Sequence, residues 1–255
     1  MRNIIDKEEF NAGERLYLGE TKIGRANLNE HLDRYKFAVS LMPENAVVLD
    51  AACGTGYGSQ MLAEKAKKVI GEHALIWGKE RHKLPNLEFI KGDLNKSLPF
   101  TDGYFDMITS FETLEHVANH ENILSEFHRV LKPDGKLIIS TPDKEILTNV
   151  THTENKFHIH ELSKKEFIDV LNSHFFLKEL YGQTLYVPQS PLKRAISSVA
   201  KLDVFNLRGK IVKALNLRLM VHWILSAEKH TPIVKISPNE ANRYYILVAV
   251  CNKNA

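Results

Sequence analysis

The sequence predicts a doubly wound α/β fold: a seven-stranded sheet with one antiparallel strand, helices on both faces and a helical insertion before the last strand. Three observations carry this. The run VVLDAACGTGYGS, Val47 to Ser59, passes from an apolar strand through an acid, Asp50, into a glycine-punctuated turn and then a helical pattern. Further along, apolar runs of strand length alternate with segments of helical spacing, which implies a parallel sheet. The late strands are not joined by a simple crossover helix, which points to one antiparallel member.

Residues Asn27 to Leu41 place Leu28, Leu32, Tyr35 and Val39 at helical spacing, with Asn27 or Asn29 as N-cap, and Pro43-Glu44-Asn45 ends that helix. The first strand follows as the unbroken aliphatic run of a buried parallel strand, then the glycine turn and the helical pattern SQMLAEKA. Lys67–Gly71, Leu87–Asp93, Phe105–Phe111 and Gly135–Thr141 read as strands two to five. The turn TDGY precedes the fourth; the helix ENILSEFHRVL and the turn Lys132-Pro133-Asp134-Gly135 precede the fifth. Ser163 to Phe175 is an amphipathic helix with Ser163 as N-cap and Glu166 at the capping-box position. FLKELYGQTL makes a sixth strand and Arg243–Lys253 the last. The chain thus divides into an N-terminal helical cap (1–45), an α/β core (46–187), a basic helical insertion (188–239) and the final core strand (240–255).

With 255 residues, 44% of them apolar and 25% charged, the chain has the composition of a soluble protein with a sizeable core. No apolar run approaches the roughly 20 residues of a membrane-spanning helix. The segment MRNIIDKEEFNAGER lacks a signal-peptide core, and two cysteines, Cys53 and Cys251, make no disulfide framework. The expectation is a reduced, cytoplasmic protein. The net charge of +3 hides an asymmetry, because residues 188–239 hold nine Lys/Arg against two acids. Clustered basic charge bears on anionic partners. Leu207, Ile211, Leu215 and Leu219 form a stripe there, so a lid or acceptor element, a homodimer contact and a peripheral membrane contact all remain open. The aromatic interleaving of a nucleic-acid-binding stretch is absent, and no nucleic-acid partner is expected.

Two cofactor classes use a glycine turn after a strand. A dinucleotide site requires G-x-G-x-x-G, whereas Gly54, Gly56 and Gly58 alternate here, which disfavours a nicotinamide-dependent oxidoreductase. In a doubly wound sheet ligands sit past the carboxyl ends of the strands. The residues that matter are therefore Asp50 with its turn, Asp93, Ser110–Val117 and Ser140–Asp143.

The stretches VVLDAACGTGYGS, NLEFIKGDL, LPFTDGYFDMITSFETLEHV and RVLKPDGKLIISTP, in this order and spacing, resemble class I S-adenosylmethionine (SAM) methyltransferases, a Rossmann-like family. Ala52 replaces the first glycine of the family's D-x-G-x-G-x-G. The resemblance covers about residues 30 to 180 plus the final strand. It is nearest to small-molecule methyltransferases of glycan pathways, whose ERLYLGE, NEHLDRYKFA and NKFHIHEL segments also look alike. It implies that Asp50, Ala52, Gly54 and Gly56 surround the methionyl part of SAM. Asp93 and Leu94 would flank the adenine, and the backbone near Phe111 would take the amino group. Tyr35 and Arg34 would close over the cofactor; a packed tyrosine on a solvated helix face is the other reading. Family members usually end strand two with an acid that grips both ribose hydroxyls. About four residues of that pattern are missing here, and Glu72 is the nearest acid, either as the ribose contact or as a cap for the next helix. Losing a carboxylate–diol contact costs on the order of 2–3 kcal/mol.

Methyl transfer to a hydroxyl requires alignment and removal of a proton. The candidates are Glu112, Glu115 and His116, then His158, His160 and Glu161. A helix starting near Glu112 would set positions 112 and 116 on one face, and an imidazole can take a proton near neutral pH. Packing beneath the cofactor is the alternative for His116. His158 and His160 share one side of an extended segment. With His152 and Glu161 they make a metal site conceivable, but no cysteine or helical His pair supports it, and none is assigned. Cys53, in the turn without a neighbouring base, is not a nucleophile. The sequence thus predicts a SAM-dependent methyltransferase acting on a small-molecule acceptor, saccharide-like or anionic, with O-methylation of a sugar as the leading reaction. The shortened loop after strand two motivates the alternative, a SAM-fold binding or scaffold protein without catalysis.

Overall fold

The computed structural model describes residues 25–72, 84–147, 157–185, 232–241 and 243–253. Helix α1 spans Arg25–Leu41, β1 Val47–Ala51, α2 Tyr57–Ala63, β2 Lys68–Glu72, β3 Leu87–Ile90 and β4 Phe105–Phe111. A 3-10 turn at Leu114–His116 leads to α3, His120–Val130, and β5, Leu131–Pro142. The short α4, Lys144–Leu147, is followed by α5, Lys164–Asn172, and β6, Phe175–Leu185. Strands β7, Val234–Ile236, and β8, Tyr244–Lys253, complete the sheet.

The strand order is β3-β2-β1-β4-β5-β8-β6-β7. Strands β1 to β5 are mutually parallel. The final strand β8 enters between β5 and β6 and runs antiparallel to both, which makes it the expected antiparallel member. Among the described residues the sheet has eight strands rather than seven. The additional one, β7, lies inside the stretch read as a helical insertion and pairs antiparallel with Leu180–Gly182 on the outer edge of β6. Three residues are too few for a period of two to register in a sequence. Residues 188–231 of that insertion, which include both of its helical patterns, and His152 lie outside the described residues.

Strand β5 is longer than the expected Gly135–Thr141. Leu131 pairs with Phe105 and Lys136 with Met107, so Lys132-Pro133-Asp134-Gly135 is an outward loop within the strand's own ladder. Adjacent residues of the inner strands point to opposite faces, and the core divides accordingly. Leu49, Ile108, Ile139 and Leu247 pack with Phe127 of α3 and Phe167 and Leu171 of α5. Val48, Met107, Ile138 and Val248 pack on the other face with Tyr35 and Ala38 of α1 and Leu62 of α2. No helix among the described residues is long and apolar enough to cross a membrane.

Candidate active site

The carboxyl ends of β1, β2, β4 and β5 converge on the glycine turn. Ala52, Gly54 and Gly56 all adopt left-handed backbone, with φ of 56°, 56° and 80°. An L-residue pays roughly 1–2 kcal/mol there, which is why the motif ordinarily carries glycine where Ala52 stands. Among the described residues a Cβ on Gly54 would meet nothing within 4 Å, so there this backbone faces an open cleft that a ligand can approach.

Asp50 lies beneath the turn instead of facing that cleft. Its carboxylate is fully buried and accepts hydrogen bonds from Ser59 Oγ at 2.6 Å, Thr109 Oγ1 at 2.9 Å and Tyr35 Oη at 3.1 Å. Asp50, expected among the residues that surround the methionyl part of SAM, supports the turn from below. Three hydroxyls occupy the oxygens, and Asp50 anchors the turn. Burial raises its pKa to about 6 even though these bonds lower it. Tyr35 packs edge-on against Tyr57 and Phe111, with ring centroids 5.6 and 5.0 Å away, so it is a buried wall of the turn. Phe111, the last residue of β4, is itself buried, and its carbonyl accepts the Thr113 hydroxyl.

Glu72 ends β2, fully buried. Its carboxylate accepts from the Ala52 N–H at 3.4 Å, and its carbonyl accepts from the Cys53 N–H at 3.0 Å. A Cβ on Gly92 would come within 2.0 Å of Glu72 Oε1, so the side chain reaches from the glycine turn to the loop after β3. The helix that it was alternatively expected to cap lies outside the described residues. Leu94 on that loop is buried. Its neighbour Asp93 is exposed, and its carboxyl is held low by the Asn95 N–H and by Lys96.

Arg34 is buried to 1% exposure. One Nη donates to Gln183 Oε1 of β6 at 2.6 Å, while the buried Nε has no hydrogen-bond partner among the described residues. The guanidinium acts electrostatically on both Tyr57 of the turn and Glu115 past β4. The pairing with Gln183 was not anticipated. A lone glutamine in the strand pattern LYGQTL was its only trace, because 149 residues separate the partners.

Past β4 the expected helix from Glu112 does not form. Glu112 has a φ of 52°, and only Leu114–His116 makes a helical turn, of the 3-10 kind. Residues 112 and 116 therefore do not share a helix face. The Glu112 carboxylate instead accepts from Ser140 Oγ at 2.7 Å, across to β5. Glu115 is buried; its carboxylate accepts from Thr141 Oγ1, and its carbonyl accepts from the N–H groups of Ile159 and His160. Burial and the neighbouring Glu112 push its carboxyl pKa up. Those two backbone bonds bring the 157–160 segment alongside, and the His116 and His158 rings meet edge-on at 5.1 Å. His160 turns away and stacks on His120. Cys53 is buried, and burial raises its thiol pKa, which leaves it inert.

The residues fit SAM. An open backbone cradle, a buried guanidinium with a bare Nε–H for a carboxylate, and an acid at the tip of β2 for a diol match the groups it presents. Residues 43–186 match the family described as a methyltransferase domain. A probable S-adenosylmethionine-dependent methyltransferase of Mycolicibacterium smegmatis is 33% identical over 130 residues, covering 49% of this chain and 50% of the relative. The chain thus spans about half the length of that relative. A ubiquinone/menaquinone biosynthesis C-methyltransferase of Escherichia fergusonii is 31% identical over 194 residues, covering 70% of this chain and 76% of the relative. Among solved structures, a SAM-dependent methyltransferase of Thermotoga maritima, described as a possible histamine N-methyltransferase, superposes with a TM-score of 0.60. It is 17% identical, with 99% of this chain and 97% of that one covered, and it speaks for the fold alone. Glycine cradle, strand-tip acid and family match together establish that this chain belongs to the class I SAM-dependent methyltransferases.

Proposed function

We propose that this protein transfers a methyl group from SAM to a hydroxyl of a small molecule, a sugar or saccharide-linked acceptor. The observation that carries this reading is the Glu112, Glu115, His116 and His158 cluster at the ends of β4 and β5. It adjoins the cradle, since Glu112 and Arg34 both act electrostatically on Tyr57 of the turn. A thiol acceptor, which ionises closer to neutral pH, has less need of such a collection of proton-accepting groups.

Bound SAM supplies an electrophilic methyl on a sulfonium, which leaves as a thioether with the electron pair. The chain's own residues do the rest. The Gly54 and Gly56 backbone leaves room for the methionyl part, Arg34 pairs with its carboxylate, and the backbone at Phe111 takes its amino group. Glu72 holds the ribose diol, while Leu94 and Asp93 border the adenine. Glu112 takes the acceptor's hydroxyl proton. Its left-handed backbone is the kind of strain that persists where the surrounding structure enforces it. Tyr35, Tyr57 and Phe111 keep water out.

The test is calorimetry with S-adenosylhomocysteine, followed by product release over a panel of neutral and anionic saccharides. Anionic members belong in the panel because of the basic 188–239 segment. Wild-type binding with a tenfold to roughly hundredfold weaker Glu72→Gln is expected, as loss of charge-assisted bonds implies. No binding at millimolar ligand would refute the assignment. Tight binding without turnover across the panel would favour the non-catalytic scaffold reading.

A further inference from the structure

Glu115, His116 and His158 each offer a ligand atom, and the three atoms lie within 4.8 Å of one another. We propose that they form a binding site for a divalent transition-metal ion, and that this ion holds the acceptor's oxygens. The cluster joins two distant pieces of chain, the 3-10 turn after β4 and the segment at 157–160.

The hydrogen bonds fix how the rings present themselves. His116 Nδ1 lies 3.0 Å from the Phe157 carbonyl, which can only accept, so Nδ1 carries the proton and Nε2 a bare lone pair. His158 Nδ1 lies 2.6 Å from Glu161 Oε1, a carboxylate, with the same consequence. A ligand imidazole characteristically donates its other N–H to a carbonyl or carboxylate, which sets the tautomer and increases basicity. Both histidines make such a bond through Nδ1. The third donor, the Glu115 carboxylate, is 1% exposed and accepts from Thr141 Oγ1 at 3.2 Å.

Ligands held at about 2.1 Å from one ion lie at most ~4.2 Å apart. Small side-chain rotations therefore close the observed spacing. Two imidazoles and one carboxylate select zinc, manganese, iron or cobalt over magnesium or calcium, and they leave coordination positions open. Two neighbouring oxygens of a vicinal diol or hydroxy acid suit those positions. A metal-bound hydroxyl loses its proton more readily. The proton passes to Glu112, and the oxygen bonds to the methyl carbon as that carbon's bond to sulfur breaks. This use of the ion rests on the function proposed above; the site itself does not.

The test uses the full chain, stripped with chelator and titrated with cobalt(II) chloride, with the visible absorption of bound cobalt as the readout. Wild type should develop the bands of a nitrogen–oxygen site. His158→Ala and His116→Gln should each weaken binding by at least tenfold. Glu161→Gln, which keeps all three ligands, should weaken it about tenfold. His128→Ala, whose ring sits against Phe175 elsewhere, should not change it. S-adenosylhomocysteine affinity, measured on the same samples, should stay within about twofold in His158→Ala, which also reports that the variant folds. Identical cobalt titrations for wild type and His158→Ala, or no chromophoric site in wild type, would overturn the proposal. Cobalt binding without S-adenosylhomocysteine binding would sustain the metal site and sink the function assigned to it.

Discussion

At the tip of β1 a carboxylate with three hydroxyl donors is still pushed up to about 6, because burial outweighs the bonds. The folded state therefore binds the Asp50 proton more tightly than the unfolded chain, whose carboxyl titrates near 3.8. Stability from this group is complete below that value and is lost as pH rises through about 6. An upward shift of roughly two units corresponds to about 3 kcal/mol. Asp143 is raised to about 6 as well, also by burial, so only a difference isolates Asp50. Relative to Asp50→Asn, wild type should lose about that much between pH 4 and pH 7, measured by urea unfolding at each pH. Parallel curves for the two proteins would mean that Asp50 does not titrate in this window. The glycine turn was legible because its chemistry is local. What holds Asp50 was not, since Thr109 lies 59 residues away and a threonine within a strand pattern carries no signal. The meeting of His116 with the carbonyl of Phe157 spans 41 residues and was equally hidden.

Helix α2 sits against α1 with Gly58 facing the Tyr35 ring. A Cβ on Gly58 would fall 1.9 Å from the Tyr35 ring, although the Gly58 backbone itself suits any residue. Gly58→Ala should therefore displace the ring from Asp50 and cost about 1–3 kcal/mol, the usual penalty of overpacking. In a Tyr35→Ala background the same change should cost far less, since its obstacle is gone. Equal costs in both backgrounds, read from denaturant midpoints, would place the strain elsewhere. The sequence was most informative where an element's boundary is set by its own residues. Ser163 and Glu166 form the expected reciprocal cap of α5, and β4 begins and ends at the expected residues. It misled at Glu112. There the helix-compatible string ETLEHV is overridden by the left-handed Glu112, whose N–H is tied to Ser140 on β5. It also missed β7, whose ladder exists only because the edge of β6 is there to receive it.

For the whole molecule the alternation of strand and helix patterns was enough to anticipate a doubly wound sheet, because each pattern reflects which faces are buried. The lateral position of β8 was not legible, as strand order depends on contacts far apart in the chain. Residues 244–253 pair with Lys136–Pro142 on one side and Phe175–Leu185 on the other. A chain ending at residue 242 should lack a cooperative unfolding transition and near-ultraviolet dichroism. A truncated protein that unfolds at the wild-type urea midpoint would show that the parallel half stands alone. The same placement has a consequence during synthesis on the ribosome. Until β8 emerges, β5 and β6 each offer a long row of unsatisfied amides and carbonyls, and neighbouring polysomal chains present the same rows. The nascent polypeptide cannot close this sheet until residues 244–253 have emerged, which leaves its intermediates open to edge-to-edge association.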